Sequence, residues 1–335
     1  MSKRRLSLKQ QRNIAKTKQQ KEYRHDEDIN LEPPLKGRVI AHQGKLLIVE
    51  TEQDLLLQCK YRQNLGSIVT GDRVIIQKEI HLDHGIITGI LPRTTLLLRP
   101  KKLSRTPKPV AANIDQMIIV IATEPAPIEH YIDRYLVAAS AMGFHAIIAV
   151  NKMDLYENAP HKQQMKNLIA LYRQLGYQVE EVSAITRARI DALQQRLTGK
   201  TSIFVGQSGV GKSEILNALI GTNIAQTGEI SAQNLRGKHT TTTARLYHLN
   251  DNSDIIDSPG IREFGIWHLT TQDLFDGFVE FREFAGRCRF RNCEHLPNTK
   301  GCAIDEAVQS GLIHPDRFQN YHRLMQEYLE LGSSF

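Results

Sequence analysis

The residues best suited to chemistry fall in separate short stretches of this chain. One reads Gly206-Gln207-Ser208-Gly209-Val210-Gly211-Lys212-Ser213, followed by Glu214. A G-x-x-x-x-G-K-[ST] loop bends the backbone so that successive N–H groups point at phosphate oxygens. Lys212 would bring a positive charge to the β- and γ-phosphates and Ser213 a hydroxyl for Mg²⁺. The helix that starts there would set its positive end beside the anion. The alternative is an ordinary glycine-rich turn, which needs neither the lysine nor the flanking strand and helix.

A second stretch, Asn151-Lys152-Met153-Asp154, selects the base. The Asp154 carboxylate can accept from both N1–H and the 2-amino group of guanine. Adenine offers neither donor, and a buried acceptor left unpaired discriminates strongly. Asn151 would tie the loop together and Lys152 would lie along the base. Ser183-Ala184 follows the next apolar run and can present the Ala184 N–H to guanine O6. Downstream, Asp257-Ser258-Pro259-Gly260 supplies a carboxylate for the Mg²⁺ shell and the Gly260 N–H for the γ-phosphate. Between them, Gly237-Lys238-His239-Thr240-Thr241-Thr242-Thr243 holds a threonine that can reach Mg²⁺, with Thr241 and Thr242 both eligible. Ile261 follows DSPG where Ras-like enzymes carry the glutamine that orients the attacking water, and isoleucine cannot do that job. His239 is the candidate replacement; an uninvolved, solvent-exposed histidine is the competing reading.

A third constellation is Cys288-x4-Cys293-x-His295-x6-Cys302. Three thiolates and an imidazole in one short loop suit a closed, tetrahedral, structural Zn²⁺ site, against the alternative of free buried thiols. The fourth cysteine, Cys59, lies in an apolar stretch and reads as a small core residue. Around the ligands sit Arg287, Arg289, Phe290 and Arg291, able to hold phosphates and stack a base, or else to pair with Glu294 and Asp305.

These groups need elements to position them. Thr201 to Val205 and Ala146 to Val150 are predicted buried strands that end at the phosphate loop and at the base-reading loop. Ligands of open α/β sheets bind at such carboxyl ends. Gln178 to Val182 and Asp254 to Ile256 read likewise. Ahead of them lie five β-type runs, Gly37 to Ala41, Lys45 to Val49, Leu55 to Lys60, Arg73 to Lys78 and Gly85 to Leu91. Their count and spacing predict a small OB-like barrel. Arg99 to Pro109, with five Lys/Arg and three prolines, reads as a basic semi-rigid linker. After Cys302, helices are expected at 305–309 and 315–331, with Phe318, Tyr321, Leu324, Met325 and Tyr328 as the packing stripe.

The expected domains are a basic tail at 1–35, the barrel at 36–99, the linker at 100–110, an α/β nucleotide domain at 111–274 and a mostly helical zinc-binding module at 275–335. The 335 residues carry 43 Lys+Arg against 36 Asp+Glu, a formal charge of +7 that favours a polyanionic partner. Met1 to Arg24 alone holds nine Lys/Arg against one Glu. Such a tail orders on a polyanion or stays solvated; its glutamine-rich, serine-poor composition fits a mitochondrial presequence poorly. With no apolar run of membrane-spanning length and no secretory segment, a cytoplasmic protein is expected.

In most GTPases of this fold the phosphate loop, switch threonine and DxxG precede NKxD and Ser-Ala. Here the last two come first, so the chain resembles a circularly permuted GTPase; joining the old ends of a compact domain leaves its site intact. With the barrel in front and Cys3His behind, it closely resembles the family of bacterial small-subunit-dependent GTPases known as RsgA or YjeQ, from about Lys36 to its end. The resemblance implies a GTP hydrolase using Mg²⁺ and one structural Zn²⁺. It also implies a monomer that binds the 30S subunit and its 16S rRNA late in maturation, is stimulated by it, and leaves after hydrolysis. A nucleotide-gated RNA-binding scaffold and a translation-factor-like GTPase on assembled ribosomes are the alternatives.

Overall fold

The structure is a computed structural model that describes residues 33–78, 84–101, 104–227, 244–249, 252–258 and 269–333. The basic tail, the switch segment with His239, Thr241 and Thr242, and Gly260 with Ile261 lie outside the described residues.

Alternation of apolar and polar residues drives the first domain. In β1 (Leu35–Gln43), β2 (Leu46–Thr51), β3 (Leu56–Tyr61), β4 (Arg73–Lys78) and β5 (His84–Ile90), one side of each strand turns inward. Val39, Leu47, Val49, Leu57, Cys59, Val74, Ile76 and Ile87 form its core. The strands pair β1-β2-β3-β5-β4 and β4 returns to β1, so the barrel closes, with β3 and β5 parallel. Closure removes the exposed edges that a five-stranded open sheet would carry. All five predicted strands are present. Cys59 is the expected core residue; burial pushes its thiol up to about 12.

The segment read as a linker is instead a hairpin, β6 (Leu96–Lys101) and β7 (Ser104–Ala112), with Leu96 opposite Ala112 and Arg99 opposite Lys108. Pro107 and Pro109 are tolerated because each strand of a two-stranded sheet keeps one side free of ladder bonds. Leu97 and Ala111 at its base are buried in the core of the following domain, and that anchorage overrides the linker-like composition.

The central domain holds β8 (Gln116–Ala122), β9 (His145–Asn151), β10 (Gln178–Glu181), β11 (Thr201–Val205), β12 (Arg245–His248) and β13 (Asp254–Asp257). They lie in the order β10-β9-β8-β11-β13-β12, all parallel except β12. Every residue of β8 is buried because both faces are covered. Met117, Ile119 and Ile121 pack toward α1 (Glu129–Met142) and α2 (Lys162–Gln174). Ile118, Val120 and Ala122 pack toward α3 (Ile190–Leu197) and α4 (Lys212–Thr227). The parallel arrangement brings the carboxyl ends of β8, β9, β10, β11 and β13 to one rim. Ala41 of β1 pairs with Arg245 of β12, which joins the barrel to the sheet edge.

The last module contains α5 (Thr271–Gly277), a 3-10 turn (Val279–Phe284), α6 (Ala303–Gln309) and α7 (Pro315–Ser333). A reciprocal Thr270–Asp273 capping box starts α5. Phe318, Tyr321 and Leu324 are buried as expected, with Met325 and Tyr328 packed against them. Val137 of α1 belongs to the same cluster, so this module shares its core with the central domain.

Candidate nucleotide site and metal centre

The phosphate loop leaves β11 at Gly206, whose φ is 142° and whose absent Cβ would stand 2.2 Å from the Val120 carbonyl oxygen. At Gly211, with φ 91°, a Cβ would meet Asn151 Nδ2 at 2.1 Å. Both glycines are therefore required by close approach as well as by backbone conformation. Val210 is buried and Ser208, Gly209, Ser213 and Glu214 are exposed, which leaves the loop's rim open to a ligand. Lys212 Nζ donates to the carbonyls of Gly206 at 2.7 Å and Gln207 at 2.5 Å, so the charge lies across the loop's mouth.

Asn151 is 1% exposed and links the two motif groups. Its Nδ2 donates to Val210 O at 3.0 Å, while its Oδ1 accepts from the Ala184 N–H at 3.1 Å. The Ala184 N–H expected to meet the base is thus held by Asn151. Lys152 adopts a left-handed φ of 61° and its Nζ reaches Glu124 O and Gly209 O, each at 2.7 Å. That stretches its methylene stem between the β8 end and the phosphate loop. Ser183 Oγ donates to Asp154 Oδ1 at 2.5 Å and accepts from the Thr186 N–H at 3.2 Å, fixing the carboxylate while leaving Asp154 exposed. Met153 is half-buried, and its N–H donates to Val182 O at 3.1 Å.

Thr123 and Glu124 escaped the sequence reading. Thr123 Oγ1 donates to Lys152 O at 3.0 Å, and Glu124 supplies the carbonyl that receives the lysine. Their only signal was position at the carboxyl end of the central strand.

Asp257 ends β13 half-buried. Burial raises its pKa, opposed by the positive charge of Lys212. β13 lies parallel and next to β11, so the strand ends that carry Asp257 and the phosphate loop reach the same rim of the sheet. Exposed hydroxyl at Ser213, ammonium at Lys212 and carboxylate at Asp257 form a donor set suited to a phosphate chain and a hard cation.

In the last module the ligand atoms of Cys288, Cys293, His295 and Cys302 lie within 4.8 Å of one another. Cys288 Sγ and Cys302 Sγ stand 3.5 and 3.6 Å from His295 Nδ1. The S···N edge of a tetrahedron with zinc bond lengths is about 3.5 Å. Burial lowers the His295 pKa, keeping a neutral imidazole with a lone pair to donate. None of the four cysteines is in a disulfide. Arg287, Arg289 and Arg291 are exposed; Arg287 lies over Phe284 and Arg289 over Phe290. Asp305 is engaged by the Asn298 N–H and Gln309, so the expected alternative of arginine pairing to it is not what the structure shows.

Residues 90–267 match the family model described as RsgA GTPase. The chain is 42% identical over 344 residues to the small ribosomal subunit biogenesis GTPase RsgA of Hahella chejuensis, covering 98% of each. It is 42% identical over 338 residues to the protein of that name from Yersinia enterocolitica, covering 97% of this chain and 95% of that one. Among solved structures, YjeQ from Thermotoga maritima superposes with a TM-score of 0.71 at 30% identity, over 89% of this chain and 99% of that one. YloQ, described as a circularly permuted GTPase, gives 0.69 at 27%, over 89% and 96%.

Proposed function

The chain belongs to the RsgA family of GTPases, and from that premise we propose that it hydrolyses GTP to GDP and phosphate in late maturation of the small ribosomal subunit. The observation that carries the reading is Asn151, whose amide holds the base-reading loop against the phosphate loop although the two are inverted in chain order. The proposed ligand segment is Gly206 to Glu214 for the phosphates, with Asn151 to Asp154 and Ser183–Ala184 for guanine. The exchange of Ala184 N–H from Asn151 to guanine O6 accompanies base binding.

Phosphoryl transfer asks little covalent chemistry of the protein; positioning and charge do the work. Lys212, which now donates to the Gly206 and Gln207 carbonyls, would meet developing negative charge once phosphate oxygens replace them. Ser213, Asp257 and a switch threonine, Thr241 or Thr242, would hold Mg²⁺, which supplies charge neutralisation when bound. Ile261 leaves the attacking water without a side chain to orient it. The proposed answer is that His239 takes that place when the subunit is bound, while Gly260 meets the γ-phosphate.

Zn²⁺ fits the convergent Cys3His set, with four protein donors and a structural role. The exposed arginines beside it and the net charge of +7 support contact with 16S rRNA. Among the described residues no helix is long and apolar enough to cross a membrane. The cytoplasm, where ribosomal subunits are assembled, is the proposed setting.

The test is GTP turnover with separated 30S, 50S and 70S particles, using Lys212→Ala as the inactive control. Stimulation by 30S alone supports the proposal. Equal or greater stimulation by 70S would replace it with a factor acting on assembled ribosomes, and 30S binding without turnover would replace it with a scaffold.

A further inference from the structure

We propose that the barrel positions the carboxylate of Asp257, with Arg38 as the positioning residue; this rests on the reading of Asp257 as part of the Mg²⁺ and phosphate end of the site. Ala41 of the barrel pairs with Arg245, and Arg245 pairs with Asp257. One row across three strands therefore runs from the barrel wall to the site carboxylate. The barrel also grips β12 and β13 elsewhere. Thr70 Oγ1 donates to Ala244 O at 2.9 Å, immediately before β12. Glu50 of β2 lies 2.8 Å from His248 Nε2 at the far end of β12, and His248 Nδ1 lies 2.7 Å from Asp254.

Arg38 closes this frame. One arm of its guanidinium pairs with Asp254, the first residue of β13, and the other donates to Thr201 Oγ1 at 2.8 Å, the first residue of β11. The strands so joined end in Asp257 and in the phosphate loop. A planar fork can span two strands at fixed separation, whereas a lysine ammonium on a flexible stem cannot. The Arg38 Nε is buried without an acceptor among the described residues. An unmet buried donor opposes stability, so the side chain's fit is to the two strand ends. Displacements well under a strand spacing matter at a site where charge must meet phosphate and metal. Anything that docks on the barrel thereby acts on the metal end of the site, while the guanine end, on β9 and β10, lies across the sheet.

The experiment uses the full chain with Arg38→Ala, Arg38→Lys and Asp257→Asn, and reads GDP release from a fluorescent GDP analogue across a Mg²⁺ titration, beside thermal stability. Arg38→Ala is expected to keep Mg²⁺-free GDP affinity within about twofold and to raise the Mg²⁺ concentration that half-maximally slows release by roughly three- to tenfold. Arg38→Lys should fall between, reaching Asp254 but not Thr201, and it carries the test if the alanine variant does not fold. If Asp257→Asn moves the Mg²⁺ midpoint and neither Arg38 variant does, the positioning role is overturned and the reading of Asp257 stands. An unmoved midpoint in Asp257→Asn removes both. Equal loss of Mg²⁺-free affinity, stability and Mg²⁺ response in the Arg38 variants would reduce Arg38 to a fold-stabilising contact and also overturn the proposal.

Discussion

Arg317 of α7 donates to Asp133 of α1, and the two side chains are 1% and 0% exposed. Glu280 takes the same guanidinium at 2.6 and 3.0 Å, Asn320 donates to Asp133 at 2.7 Å, and Tyr172 donates to it as well. Phe278 lies against the guanidinium face at 4.4 Å. Burial raises the Asp133 pKa, and the Arg317 charge opposes that shift. The network ties the C-terminal module to the central domain through one cation.

Removing that cation strands two carboxylates in the interior. Arg317→Ala should destabilise the protein by about 3–5 kcal/mol, because an uncompensated buried charge remains. Pairing it with Asp133→Asn should recover part of the loss, since the residues act as a unit. Denaturant unfolding of the two single variants and the double variant measures this; strict additivity would contradict it.

Guanine selectivity should reside in Asp154. Asp154→Asn exchanges an acceptor-only carboxylate for an amide, so GTP should bind more weakly and xanthosine triphosphate, whose 2-oxo group accepts from the new NH₂, more tightly. The Ser183 hydroxyl that now donates to Asp154 can still donate to the asparagine oxygen, so the loop is retained. Competition between the two nucleotides for the parent and the variant decides it.

Zinc should be stoichiometric in protein purified without chelators. Cys293→Ser should release the ion and lower the unfolding temperature of the C-terminal module, with a smaller effect on GTP affinity because the ligands lie outside the nucleotide motifs. Metal analysis and a melting curve on the same sample test both halves.

The barrel–sheet junction should show a pH signature at His248. Its hydrogen bonds with Asp254 and Glu50 raise its pKa from 6.5 to about 9. A raised folded-state pKa means that this contribution is complete below about pH 6.5 and is lost as pH rises through about 9. The stability difference between the parent and His248→Gln should therefore narrow across that window. Its side chain is 46% exposed, so solvent screens the interaction and the effect is small. A difference that widens with rising pH would show that the histidine is neutral when folded.

The nucleotide motifs were legible in the sequence because each works through its own backbone. Gly206 and Gly211 are demanded by their positive φ, and the Cys3His set by a spacing that one loop can fold upon itself. The barrel strands were legible because alternating burial is written in alternate residues. The hairpin at Leu96–Ala112 was not, since Leu97 and Ala111 become core residues only when the neighbouring domain covers them. Arg38 and Arg317 were not legible either: their partners Asp254 and Asp133 lie 216 and 184 positions away. A charged side chain reads the same whether it is solvated or paired. Local geometry carries the chemistry of the site, whereas the burial and charge pairing that hold its parts in register exist only once distant segments exclude water from one another.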